Sequence, residues 1–206
     1  MDDERIGEER FVIREDRGGE AGPIYRTGAQ LNLKLENRTT RIKVGFEGIG
    51  ATCRLRRYEV EISGAGARTL VVEARGNRIG LRVRSEGGEE MKEFLAHGAT
   101  TVLDLHVAHH HFFILQQLGD ASSATTYVLA PRQRSLQRFA IADLGMETTR
   151  VDGRSLQLRH VTATGEDGTV HHIWARDRKV MKVEVPALQF VAERSLADQE
   201  AGTGSP

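Results

Sequence analysis

The stretch DLHVAHHHFFILQQL, residues 104–118, decides how this sequence reads, because a β-strand pattern gives way there. Four of the eight histidines (His106, His109, His110, His111) fall in it, beside Phe112, Phe113, Ile114 and Leu115. A helical step of roughly 100° per residue sorts the stretch into two faces. Leu105, Ala108, Phe112, Leu115 and Leu118 share one side, and His106, His109, His110, Phe113 and Gln117 the other. Asp104 stands where its carboxylate can cap the first free N–H groups. The spacing predicts one amphipathic helix over about 104–118, an apolar face backed by an imidazole face.

On both sides of this stretch the chain repeats a different pattern, short alternating runs broken by Gly, Asn or Asp. Leu31, Leu33 and Leu35 alternate with Asn32 and Lys34, and Ile42, Val44 and Phe46 with Arg41, Lys43 and Glu47. Tyr58, Val60 and Ile62 alternate with Arg57, Glu59 and Glu61, and Ile79, Leu81 and Val83 with Arg78, Arg82 and Arg84. Period two with one apolar row is what a half-buried antiparallel strand needs. Turn chemistry at residues 18–19, 36–40, 63–67, 76–77 and 87–88 closes these strands into a meander over 10–95. After the helix, strands are expected at 125–129, 135–144, 147–151, 155–162, 169–175, 180–185 and 188–193. The expected fold is mainly β: a large curved antiparallel sheet or unclosed barrel of about 12–14 strands, the helix lying across its concave side. Residues 1–196 read as a single β-rich domain, and the small, polar 197–206 as a disordered tail.

Composition narrows the function classes. The chain has 206 residues, with 29 Lys and Arg against 29 Asp and Glu, so no sign excess steers it to nucleic acid. Cys53 is the only cysteine, which excludes an intrachain disulfide. No run approaches the roughly 20 apolar residues of a membrane-spanning helix. The opening MDDERIGEERF has neither a basic nor an apolar leader region, so no signal peptide is expected in the sequence as written.

Among candidates for chemistry, His106 and His110 are four apart, the helical spacing at which two imidazoles can share a metal ion, with His109, Asp104 or a strand histidine as a third ligand. No cysteine set or H-E-x-x-H signature joins them, so no metal or other cofactor is expected. The imidazole face would gain charge near pH ~6, which makes a pH-dependent helix position an expectation. There is no G-x-S-x-G elbow, Cys53 sits in a strand-like run, and no carboxylate pair lies in an apolar setting, so the chain does not read as an enzyme. Asn37-Arg38-Thr39 matches a glycosylation acceptor but reads as a turn. A curved sheet with one helix leaves a hollow that an apolar ligand could line. The residues expected there are Phe46, Leu81, Leu105, Phe112, Phe113, Leu115 and Trp174.

The order of features resembles the periplasmic lipoprotein-carrier (LolA/LolB-like) fold: a long meander, one helical segment, more hairpins, then a terminal hairpin carrying Trp174, Arg178, Val180, Lys182, Val183 and Glu184. It is closer to uncharacterised bacterial proteins of that fold with a D-x-x-x-x-H-H pattern, matched by Asp104, His109 and His110. The resemblance implies an unclosed barrel, a periplasmic or cell-envelope location, and a lipid-like or other apolar ligand. The competing expectation is a structural or protein-interaction module whose hollow is filled by its own side chains.

Overall fold

The computed structural model of the chain describes residues 6–18, 22–35, 38–64 and 66–196. The expected tail at 197–206 and the Asn37 turn lie outside them. The mainly β reading holds, with fourteen strands and one short α-helix among the described residues. The strands divide between two seven-stranded sheets.

The first sheet is a simple meander in sequence order. It comprises β1 (Gly7–Asp16), β2 (Ile24–Leu35), β3 (Arg38–Ile49), β4 (Arg54–Ser63), β5 (Arg68–Arg75), β6 (Arg78–Ser85) and β7 (Gly88–Leu95). All its pairings are antiparallel, and the register carries one apolar row across it: Leu31 opposite Ile42, Ile42 opposite Ile62, Phe46 opposite Tyr58, Tyr58 opposite Val72, Val72 opposite Leu81. These side chains are buried and their neighbours exposed or half-buried, so period two sets which face becomes core.

The second sheet runs β14-β13-β12-β11-β10-β9-β8. Its strands are β8 (Thr101–Val102), β9 (Ser123–Ala130), β10 (Ser135–Val151), β11 (Arg154–Gly165), β12 (Val170–Arg176), β13 (Lys179–Val185) and β14 (Phe190–Glu193). β8 and β9 pair in parallel. The two strands expected at 135–144 and 147–151 are one long β10, because Gly145 takes φ +85° and absorbs a register shift as a bulge. The Asp152-Gly153 turn makes the β10–β11 hairpin, both residues at positive φ.

Two compact units emerge: residues Met1–His110 with Tyr127–Gln137, and His111–Thr126 with Arg138–Pro206. In the first, a 3-10 turn at Pro131–Gln133 packs against β5. In the second, α1 (His111–Leu118) packs against β13.

The helix is half as long as its sequence pattern suggested. His106 adopts φ +57°, a left-handed conformation that interrupts an α-helix, and residues 108–110 form a 3-10 turn. Asp104 caps no helix: its Oδ1 accepts from the N–H of Leu105 at 3.1 Å, while Val107 N–H reaches its carbonyl at 3.3 Å. With the helix starting at His111, the two faces drawn from residue 104 do not apply. Phe113 is fully buried and Phe112 only half, and His109, His110 and His111 are all buried.

Candidate functional site

Two clusters of buried polar side chains concentrate the chemistry, one in each unit. In the first, Tyr58 belongs to the buried row of β4 and therefore needs a partner for its hydroxyl. Asp104 supplies it: Oδ2 accepts from the Tyr58 hydroxyl at 3.1 Å and from Arg132 Nε at 2.9 Å. Oδ1 also accepts from the Arg132 backbone N–H at 3.4 Å. The Asp104 side chain is fully buried and that of Arg132 is 10% exposed, so the pair is a desolvated one held by several charge-assisted bonds. Burial, then the negative charge of Asp104, holds the Tyr58 phenol well above its usual range.

The backbone N–H of Asp104 donates to His110 Nδ1 at 3.0 Å, which fixes that ring with its proton on Nε2. The neighbouring His109 is held differently. Its Nδ1 donates to Glu9 Oε1, whose second oxygen accepts from the N–H of Ala108 at 2.7 Å. The Nε2 lone pair then faces the hydroxyl of Thr27 at 3.3 Å, and Phe11 stacks on the ring. Glu9, His109 and Thr27 thus form a carboxylate–imidazole–hydroxyl array on β1, the 3-10 turn and β2. His106 stands half-buried beside Arg132; burial, then the Arg132 charge, lowers its proton affinity.

In the second unit the polar groups sit on both faces of β12. On the face toward α1, His111 Nε2 lies 3.1 Å from His171 Nδ1, both rings buried, with the edge of Phe139 against His171. Burial pushes His171 down to about 4. On the opposite face His160 donates from Nδ1 to Glu147 Oε2 at 2.5 Å, and its Nε2 lies 3.1 Å from His172 Nδ1. The Trp174 indole stacks on His160 at 4.6 Å, donates to Glu147 at 3.1 Å, and has the Lys182 ammonium 5.4 Å from its ring centroid. Burial lowers the proton affinity of His160, outweighing the pull of Glu147.

Two bacterial structures share this fold. One is a DUF1089 family protein from Pseudomonas aeruginosa, with 12% identity, TM-score 0.52, and 91% of this chain aligned to 92% of that one. The other is a beta-barrel-like protein of the domain of unknown function DUF1849 from Brucella abortus, with 9% identity, TM-score 0.52, and 89% of this chain aligned to 83% of that one. At such identities the likeness is one of fold alone. No family model matches the sequence, and no curated protein does.

The expected ligand-lining residues are distributed between the units. Phe46 and Leu81 are buried in the first sheet, and Leu105 is half-buried in the loop that follows β8. Phe112, Phe113 and Leu115 lie on α1, whereas Trp174 lies on the row of β12 that faces away from α1. The candidate ligands His106, His109 and His110 do not converge: one flanks Arg132, one bonds Glu9 and Thr27, and one takes a backbone N–H. Among the described residues no three His, Cys, Asp or Glu side chains form a group able to hold a metal ion. Sequence reading missed Glu9, Thr27 and Arg132, which carry no local signature. Tyr58 did carry one, a hydroxyl on an apolar row.

Proposed function

We propose that the protein is a non-enzymatic module of the bacterial cell envelope that acts through protein interaction, its curled sheet filled by the chain itself and not by a carried ligand. The observation behind this reading is the burial of Leu103, Asp104, Val107, His109 and His110, with two of them bonded to the first sheet. Val107 and His110 have no exposed surface, and Asp104 and His109 are tied to Tyr58 and Thr27 on the sheet's buried row. A segment that covers the apolar face, with Asp104 and His109 bonded there, occupies what an apolar ligand would need. Met91 and Leu95 on β7, and Leu144 and Met146 on β10, stand exposed and offer apolar contacts to a partner. The envelope placement is supported by the lipoprotein-carrier resemblance; fractionation of tagged protein tests it separately. Native mass spectrometry of untagged protein purified without detergent should give the polypeptide mass alone. A retained lipid, displaced stoichiometrically by a fluorescent fatty acid, would restore the carrier reading.

An acyl-transfer enzyme is the second reading, and the Glu9–His109–Thr27 array favours it. A carboxylate meets one nitrogen of the imidazole and a hydroxyl lies 3.3 Å from the other, the order of groups that activates a nucleophile. Against it, Thr27 is only 7% exposed and projects from the middle of a strand. A fluorophosphonate probe that labels wild type but not Thr27→Val would establish this reading over the first.

A further inference from the structure

The two ends of α1 are fastened to the second sheet by unlike devices. At the far end Arg159 Nη1 and Nη2 donate to the carbonyl of Gly119 at 3.2 and 3.1 Å, and Asp143 steadies the guanidinium at 2.9 Å. At the start of the helix the polar tie is the His111–His171 pair, 3.1 Å apart and buried. A neutral imidazole pair works because one ring donates while the other accepts. One added proton places a charge in a desolvated site, and a second sets two donors face to face, which destroys the bond.

We propose that this pair is an acid-sensitive latch: protonation frees the N-terminal turn of α1 from β12 while Arg159 keeps the C-terminal end attached. The surroundings favour the neutral form. The Phe139 ring of β10 lies against His171 in an edge-type contact, with centroids 5.7 Å apart. The charged groups near the pair are few. His172, adjacent on β12, opposes a charge on His171, and Asp167 in the preceding turn favours one, but burial outweighs both. On the sheet rows beneath α1, Asp143 of β10 and Arg159 of β11 are engaged with each other at the far end. Lys182 and Glu184 of β13 pair together on the side of Trp174 and do not face the latch. Release uncovers Phe113 and Ile114 in the freed turn of the helix and the part of the β13 row beneath them, an apolar surface absent from the neutral-pH form.

Amide hydrogen exchange over residues 112–119, corrected for the intrinsic pH dependence of the chemistry, tests the latch. Between about pH 7 and about pH 4 the wild-type helix should lose roughly tenfold or more of its protection, while β11 and β13 keep theirs. In His171→Gln, whose amide bonds to His111 without titrating, the helix should keep its protection at both pH values. Equal helix protection at both pH values in wild type, or the same loss in His171→Gln, would overturn the proposal. An NMR titration of the His171 ring in the unmodified protein is independent of how the variant folds: a midpoint at an ordinary histidine value overturns it, and one near the acid limit of the transition supports it.

Discussion

Tyr58 and Asp104, 46 positions apart in the chain, meet at 3.1 Å in the interior of the first unit, and Arg132 joins them from a third segment. One carboxylate thereby fastens a strand, the loop after β8 and the 3-10 turn after β9. The consequences of removing each partner differ because only one of them carries the compensating charge.

Asp104→Ala leaves the Arg132 guanidinium buried without its counter-charge, a loss of about 3–5 kcal/mol. Tyr58→Phe removes only a neutral donor, and Asp104 keeps its three N–H donors, so the loss is about 1–2 kcal/mol. Arg132→Met strands the fully buried Asp104 carboxylate in the same way, so its loss should also be about 3–5 kcal/mol, above that of Tyr58→Phe. Urea denaturation of the three variants checks the order.

The His171 imidazole, pushed by burial down to about 4, makes stability depend on pH in a fixed direction. Its proton affinity is lower folded than unfolded, so acid favours the unfolded chain. Its contribution is complete above the ordinary histidine range of ~6.5 and is lost as pH falls toward about 4. The loss amounts to on the order of 3 kcal/mol. Chemical denaturation at a series of pH values should show the wild type falling relative to His171→Gln across that window, and parallel curves would contradict it.

Trp174 is the only tryptophan, and its indole lies 12° from the His160 ring plane at 4.6 Å. A protonated imidazole at that distance quenches indole emission more than a neutral one. Because burial lowers the proton affinity of His160, quenching should set in only below the ordinary histidine range. Steady-state fluorescence of the native protein against pH checks this, and His160→Gln should abolish the quenching.

How far the sequence carries the fold is plain from the strands. Rows such as Ile42, Val44 and Phe46 are buried as period two demands, because a sheet face is a local property of the chain. The stretch 104–118 shows the opposite. Its helical periodicity is real, yet Asp104 is worth more bonded to Tyr58 and Arg132 than capping a helix, and His106 turns left-handed to allow it. Bonds to residues 46 and 28 positions away leave no mark in a local pattern. Glu9 is similar: nothing around it announces that His109, 100 positions on, is its partner.

Gly48 shows a constraint of packing at the β3–β4 bulge. A Cβ there would stand 2.6 Å from Phe46 Cε1 and 2.8 Å from Cys53 Sγ, both on buried side chains. Neither can retreat without disturbing the row beneath it, so Gly48→Ala should cost about 1–3 kcal/mol, although alanine is otherwise a mild change. Gly45→Ala is the control, since a Cβ at that position meets nothing within 4 Å. Thermal melts of the two variants should separate by several degrees.

Cys53 follows from the same corner of the structure. It takes φ +52° in the turn before β4, and its thiol is fully buried. Its basic neighbour Arg54 points the other way along the strand pleat and is exposed. Burial, aided by the negative charge of Glu15, therefore raises the thiol well above its ordinary range instead of Arg54 lowering it. The thiolate is the reactive form, and here it is both scarce and covered. A disulfide reagent such as Ellman's should leave the native protein unmodified and react with one equivalent once urea unfolds it. The labelling rate at intermediate urea should track the fraction unfolded, and rapid labelling of the native protein would mean that the β3–β4 corner opens independently of global unfolding.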